Sequence, residues 1–259
     1  MESYATIAKA SRIKTLDMIY RAGTSHIGSV FGTADIMAVL FEKIDFGKDI
    51  FIASKSWMAA MLYYHLWRRG RITQKELDSF CQPGSRFIGL VEGGHHPDIP
   101  FGVGSMGFGF PAAVGFALSK KMKGETGTVY CYMSDGEMQI GTTWEAALIA
   151  AHHKLDNLLV IVEINGLQAM GKTEDILRLG ARFPGKWRAF DWFVDIVNGH
   201  DFPNIEQTLI KEFVTPLPHV LLIHTIKGKG VSFMEGENLW HYAQLKEDDY
   251  QKALQELNG

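Results

Sequence analysis

The sequence predicts an α/β fold, a doubly wound and mostly parallel sheet flanked by helices. Apolar runs at 128–133 and 158–164 are strand-sized, and they end in the turn dipeptides Asp135-Gly136 and Asn165-Gly166. A helix-like stretch at 143–154 separates them. Two such runs joined by one helix form a right-handed βαβ unit with parallel strands. Strand-sized and helical patterns keep alternating as far as 226, which suits a parallel sheet covered by helices.

Each element has its own signal. Residues 4–21 form an amphipathic helix with apolar Ile7, Ile13, Leu16, Ile19 and Tyr20, stopped by Gly23. A helix over 34–44, a short strand over 50–53 and a helix over 56–69 follow. Thr73-Gln74-Lys75-Glu76 spells a capping box and opens a short helix. Residues 84–109 are rich in Gly and Pro and too long for an ordinary connection, so they are expected to be a functional loop. Then come a helix to 123, strand 128–134, helix 143–154, strand 158–164, and a loop with a broken helix over 166–190. A strand near 193–197, a helix near 204–213, a strand over 220–226 and a helix over 246–257 complete the pattern. No repeat, low-complexity tract or linker interrupts it, so residues 1–259 are expected to form a single domain.

Composition narrows the function classes. Apolar residues make up 46% and charged residues 21%, an ordinary globular balance, and the net charge of −3 leaves no basic footprint for nucleic acid. Cys81 and Cys131 form no CxxC and have no metal-ligand spacing, which suits a reduced, intracellular protein, with Cys131 as core filler. The N-terminus is unlike a signal peptide and no apolar stretch approaches a membrane span. The expectation is a cytoplasmic protein with neither nucleic acid nor membrane as partner.

The chemistry concentrates at the two strand tips. Neighbouring parallel strands set Asp135 and Asn165 side by side at the carboxyl end of the sheet, where open α/β sheets bind ligands. Each dipeptide alone reads as a turn. Together they offer two hard oxygen donors, half a cage for a metal-bridged diphosphate, because Mg²⁺ takes few protein ligands beside phosphate oxygens and water. Two other motifs compete. Gly102 to Gly107 spells GxGxxG, but it follows a Gly/Pro-rich stretch rather than a strand. Gly166 to Thr173 fits GxxxxGK[ST] and does follow a strand, so a nucleotide hydrolase using Lys172 and Thr173 stands as an alternative.

Taken together, the segments resemble the diphosphate-binding domain of the transketolase family, enzymes that use thiamine diphosphate (ThDP). Asp135-Gly136-Glu137-Met138-Gln139, Trp144-Glu145-Ala146-Ala147, His153 to Leu158 and Asn165-Gly166-Leu167-Gln168 carry the likeness. So do Ser25-His26-Ile27-Gly28, His96-Pro97-Asp98, Gly199-His200-Asp201, Thr225 to Glu235 and Trp240-His241. The resemblance implies that Asp135, Asn165 and the Leu167 carbonyl ligate Mg²⁺, for which Ca²⁺ can substitute in this family. It places Gly136 and Glu137 beside the diphosphate, and Gly104 and Met106 beside the cofactor rings. It makes His26, His96 and His241 the histidines that bond the ketose and handle protons, His241 touching the diphosphate as well. His65, His152 and His219 read as structural.

The implied activity is transfer of a two-carbon ketol unit from a ketose or sugar phosphate to an aldehyde. Another ThDP-dependent acyl or ketol transfer, or a non-catalytic scaffold paralogue, remains open. The pyrimidine-binding and C-terminal domains of full-length members have no counterpart in this sequence. The expected partner is therefore a C-terminal transketolase subunit, in a dimer of heterodimers. Four positions depart from the family pattern: Trp57 stands for a diphosphate-contacting histidine, Ile140 for an interface glutamate, Ser134 for a glycine and Phe108 for a glutamine.

Overall fold

Alternating apolar residues on a parallel strand bury both of its faces, and this chain builds two cores that way. The computed structural model describes residues 2–180, 182–209 and 216–259. Its elements run α1 (Tyr4–Ala22), α2 (Ile27–Gly32), α3 (Ala34–Lys43), β1 (Ile50–Ala53), α4 (Ala59–Arg68), α5 (Gln74–Asp78), α6 (Gly109–Lys123) and β2 (Val129–Ser134). They continue as α7 (Gly141–His152), β3 (Leu158–Ile164), β4 (Leu167–Gln168), β5 (Gly171–Lys172), α8 (Thr173–Ile176) and α9 (Phe183–Ala189). The last are β6 (Phe193–Asn198), α10 (Phe202–Leu209), β7 (His219–His224) and α11 (Glu247–Asn258).

Five parallel strands form one sheet in the order β1-β2-β3-β7-β6. The expected β2–α7–β3 unit is present, with Val129 opposite Leu158 and Ser134 opposite Glu163. Tyr130, Tyr132, Leu159, Ile161, Leu221 and Ile223 face the core beneath α1, α3 and α4. Cys131, Met133, Val160, Val162 and Leu222 face the opposite core beneath α6 and α7. The doubly wound fold read from the sequence is therefore the observed one.

Local signals act where they were read. The Ser3 hydroxyl caps α1 by accepting from the Thr6 N–H at 3.1 Å, and Gly23 ends the helix at φ 58°. Thr73 and Glu76 form the capping box of α5. The helix expected over 56–69 opens instead as a 3₁₀ turn over Ser56–Met58. The helix expected over 204–213 begins two residues earlier, at Phe202, and its last four positions lie outside the described residues. Helix α2 has no signal in the sequence, because six residues with two glycines show no periodicity; all six are buried, so packing holds it. Among the described residues no helix is long and apolar enough to cross a membrane.

His65 sits inside the first core, 1% exposed, against Phe41 and Tyr64, and among the described residues its Nε2 has no hydrogen-bond partner. Burial, reinforced by Arg68 and Arg69, depresses its pKa to about 3. The unfolded chain therefore binds a proton near pH 6.5 that the folded chain refuses, and stability falls as pH drops from there towards 3 by about 1.4 kcal/mol per pH unit. Thermal melts of His65→Leu should lose stability less steeply than wild type between pH 6.5 and 4; equal slopes would contradict this.

Candidate functional site

The carboxyl ends of β1, β2 and β3 converge on a cavity of about 180 Å³ lined by His26, Ser29, Lys55, Trp57, Met106, Ser134, Gly136, Asn165, Leu167 and His241, among others. Asp135 opens a 3₁₀ turn directly after β2 and is 2% exposed. Its Oδ2 accepts from the Gly166 N–H at 2.9 Å and the Thr173 hydroxyl at 3.2 Å, and its Oδ1 from the Gly136 N–H at 2.9 Å. All three partners are neutral, and among the described residues no cation pairs with it. Burial, with Glu163 adding, outweighs these bonds and raises its pKa to about 6.

Asn165 follows β3. Its Oδ1 accepts from the Leu167 N–H at 3.0 Å, and its Nδ2 donates to Glu163 Oε1 at 3.2 Å. Glu163 is wholly buried. It also accepts from Thr225 Oγ1 at 3.0 Å, Tyr132 OH at 2.9 Å and Lys55 Nζ at 2.7 Å. Lys55 donates further to the Ser29 carbonyl at 2.9 Å, tying β1 to α2. Burial works against the Glu163 carboxylate, but Lys55 and these hydrogen bonds hold its pKa below the usual range.

The opposite wall is aromatic. His26 caps α2 in the left-handed region, φ 74°, an uncommon conformation for a residue with a side chain. Its ring meets His241 edge-on at 5.1 Å and lies nearly parallel to Trp57 at 6.4 Å. Burial, followed by Lys227 and Lys55, lowers the pKa of His26 to about 4. Burial, then Lys227, lowers that of His241 to about 3. Both rings are neutral at pH 7. Lys227 follows β7, is 1% exposed, and contacts His241 Nδ1 at 2.8 Å. Burial and then Lys55 lower its pKa to about 8, so the ammonium form predominates at neutral pH. An ammonium donates to Nδ1 and leaves the imidazole proton on Nε2. Among the described residues no carboxylate pairs with Lys227.

The structure gathers Gly136, Asn165, Leu167, Met106, His26 and His241 around one cavity, sets Asp135, next to Gly136 in the chain, on a neighbouring cavity with Gly166 and Thr173, and leaves three expected residues elsewhere. His96 donates through Nε2 to the Arg71 carbonyl at 2.9 Å and accepts from the Asp98 N–H at 3.1 Å. Arg71 lies beyond the far end of α4, whose ten residues run about 15 Å away from the β1 tip. Pro97 and Asp98 line a separate cavity with Phe46 and Ile50, at the amino end of β1. The cause is a pinch in the glycine loop. Val103 bonds Val91, and a Cβ on Gly93 would stand 2.2 Å from the Gly102 nitrogen, so residues 94–101 are thrown outward. Gly104 lines an adjoining cavity beside Val91 and His95. Glu137 turns away from the central cavity to accept from Ser54 and from the Gly107 N–H, which clamps the glycine loop to β1.

The nucleotide-loop alternative is overturned by geometry. Gly166 to Thr173 folds as the antiparallel β4–β5 hairpin with Lys172 exposed, not as a turn wrapping an anion before a long helix. The GxGxxG stretch contains no strand and leads directly into α6. Sequence reasoning missed Lys55, Glu163 and Lys227. The available signal was a glutamate inside an apolar parallel strand and lysines directly after two others, charges that burial forces to find partners.

Comparison with known proteins adds an independent line. The family model described as "Transketolase, thiamine diphosphate binding domain" matches residues 3–258. An apulose-4-phosphate transketolase subunit from Phocaeicola vulgatus is 30% identical over 272 residues, 100% of this chain and 95% of that protein. A 6-deoxy-6-sulfo-D-fructose transketolase subunit from a Clostridium species is 33% identical, over 96% of this chain and 94% of that one. The solved transketolase from Leishmania mexicana superposes with a TM-score of 0.91 at 26% identity, over 100% of this chain and 42% of that chain.

Lys55→Met would leave Glu163 buried without its counter-charge. Urea unfolding should show a loss of about 3–5 kcal/mol, largely recovered in Lys55→Met/Glu163→Met. A single variant within about 1 kcal/mol of wild type would contradict the pairing.

Proposed function

The chain belongs to the transketolase family through its ThDP-binding domain, and we propose that it is the subunit of a two-chain ketol transferase that grips the diphosphate end of Mg²⁺-ThDP. One observation carries this reading: two buried groups of opposite sign at the same end of the sheet, Asp135 and Lys227, feel each other's charge, yet neither forms an ion pair among the described residues. A divalent cation satisfies the first and a diphosphate the second. Asp135, Asn165 Oδ1 and the Leu167 carbonyl are hard oxygen donors too few to fill a coordination shell, which suits Mg²⁺ completed by phosphate oxygens and water. Among the described residues no group of three His, Cys, Asp or Glu could hold a metal unaided.

ThDP, when bound, supplies stabilisation of the carbanion that forms as the two-carbon unit is cut from a ketose. The chain's own part is to bind and orient. Lys227 would offer its ammonium to the diphosphate, and it fixes the His241 tautomer with the proton on Nε2. His26 and His241, both neutral, can exchange a hydrogen bond or a proton with ketose hydroxyls without a charge to neutralise first. Trp57, His26, His241 and Tyr242 form an aromatic wall along that side of the cavity. His96 lies outside this arrangement, so the sugar contacts of this chain rest on the other two histidines.

Two relatives of matching length bear subunit names. They support a partner subunit, which in this proposal carries the pyrimidine-binding and C-terminal domains in a dimer of heterodimers. Residues 1–259 then act as the one diphosphate-binding domain. The same names, one a sugar phosphate and one a sulfo sugar, support a substrate that is a sugar bearing an anionic group. Free Cys81 and Cys131 suit a reducing cytoplasm.

Calorimetry with ThDP and Mg²⁺ on the chain mixed with its partner tests the assignment. Loss of one charge-assisted contact is worth roughly 10- to 100-fold in affinity. Asp135→Ala should weaken binding and abolish its dependence on Mg²⁺, while Lys227→Ala should weaken binding yet keep that dependence. Unchanged affinity in both would refute the site. Ketol transfer should require both chains; full turnover by this chain alone would refute the division of labour.

A further inference from the structure

We infer that Glu163 is a positioning residue that decides which end of the Asn165 amide meets the metal, and that Lys55 is the charge that lets it do so. The inference rests on the metal–diphosphate reading and deepens it. An asparagine side chain presents an oxygen and a nitrogen of nearly equal size, and only the oxygen ligates a cation. Something must bias the choice. Glu163 Oε1 takes the Asn165 Nδ2 at 3.2 Å. An ionised carboxylate has no hydrogen to give, so the opposite orientation would set two acceptors against each other. Oδ1 therefore points away from Glu163, and the Leu167 N–H at 3.0 Å steadies it while leaving a lone pair free.

The bias rests on both Glu163 oxygens being held as acceptors in a fully buried position. Lys55 and Tyr132 secure this by donating to Oε2 at 2.7 and 2.9 Å. Those donors occupy one carboxylate oxygen and leave the other for Asn165 and Thr225. The helix above is shaped to the same group: a Cβ on Gly32, at the end of α2, would stand 2.6 Å from Glu163 Oε1. Because Lys55 also holds the Ser29 carbonyl of α2, the pair locks the helix that His26 caps to the strand that delivers Asn165.

A donor swap tests this. In Glu163→Gln, Lys55 and Tyr132 keep the amide oxygen, so the new NH₂ faces Asn165, whose own amide must turn over and offer nitrogen to the metal. Calorimetry on the two-chain complex with ThDP across a Mg²⁺ series should show apparent Mg²⁺ affinity falling at least about tenfold, the usual scale for such supporting groups. Asn165→Asp alone should weaken Mg²⁺ as well, because its carboxylate faces that of Glu163. The double variant Glu163→Gln/Asn165→Asp should recover to within about threefold of wild type, since the introduced glutamine can donate to the introduced aspartate. A purely structural Glu163 would not give this reciprocal rescue.

A double variant no better than the weaker single, or wild-type affinity in Glu163→Gln, overturns the inference. If Glu163→Gln fails to fold, judged by circular dichroism, Asn165→Asp and the double variant still decide it. If Asp135→Ala leaves the Mg²⁺ response intact, the metal reading itself fails. If that variant abolishes the response while the swap shows no rescue, only the role of Glu163 fails.

Discussion

The buried Lys55–Glu163 pair is the interaction on which the rest of the site depends. Two opposite charges at the carboxyl end of a parallel sheet are costly to desolvate, and good geometry with extra hydrogen bonds is what makes them tolerable. Here the extra bonds come from Tyr132 on β2, Thr225 after β7, Asn165 after β3 and the Ser29 carbonyl on α2. Satisfying one ion pair thus draws four separate elements to a single point. Those elements bring the remaining machinery with them: β2 leads into Asp135, β7 leads to Lys227, and α2 is capped by His26. Gly228 N–H bonded to the Gly28 carbonyl at 2.8 Å closes the ring between α2 and the Lys227 loop.

Around that neutral knot the protein leaves two charges unanswered. Asp135 accepts from N–H and O–H dipoles, and the direct contact of Lys227 is with the neutral His241 imidazole. Each is held at some cost to the fold, visible as a carboxylate pushed up and an ammonium pushed down. A ligand with a metal at one end and phosphate oxygens around it relieves both. Trp57 and Ile140 have structural consequences as well. Trp57 extends the aromatic wall beside His26. Ile140 packs against Gly107, where a Cβ would stand 2.6 Å from its side chain, so it helps shape the glycine loop.

Much of this was legible in the sequence. The β2–α7–β3 unit follows from apolar runs bounded by turn dipeptides, and the family likeness follows from motifs spread along the chain. Asp135 and Asn165 were readable because they sit at strand tips, where topology alone sets their location. The lysines and Glu163 were not, because a charge inside or just after an apolar run has no meaning until its partners, distant in sequence, are known. His96 illustrates the opposite failure. Its motif fits, but the backbone pinch at Gly93 and Gly102 is a tertiary contact, and it carries the histidine away from the cavity. Likewise the GxxxxGK[ST] spelling could not reveal that its central residues turn as a hairpin.

The proposed chemistry turns on where a metal and the cofactor's tail sit. A crystal of the two-chain complex grown with ThDP and Mn²⁺, and measured at the manganese edge, tests those positions most directly. The anomalous peak should lie among the Asp135 carboxylate, Asn165 Oδ1 and the Leu167 carbonyl, with the diphosphate between it and Lys227. A diphosphate bound elsewhere, or manganese absent from the Asp135–Asn165 tip while ThDP is present, would contradict the metal–diphosphate site.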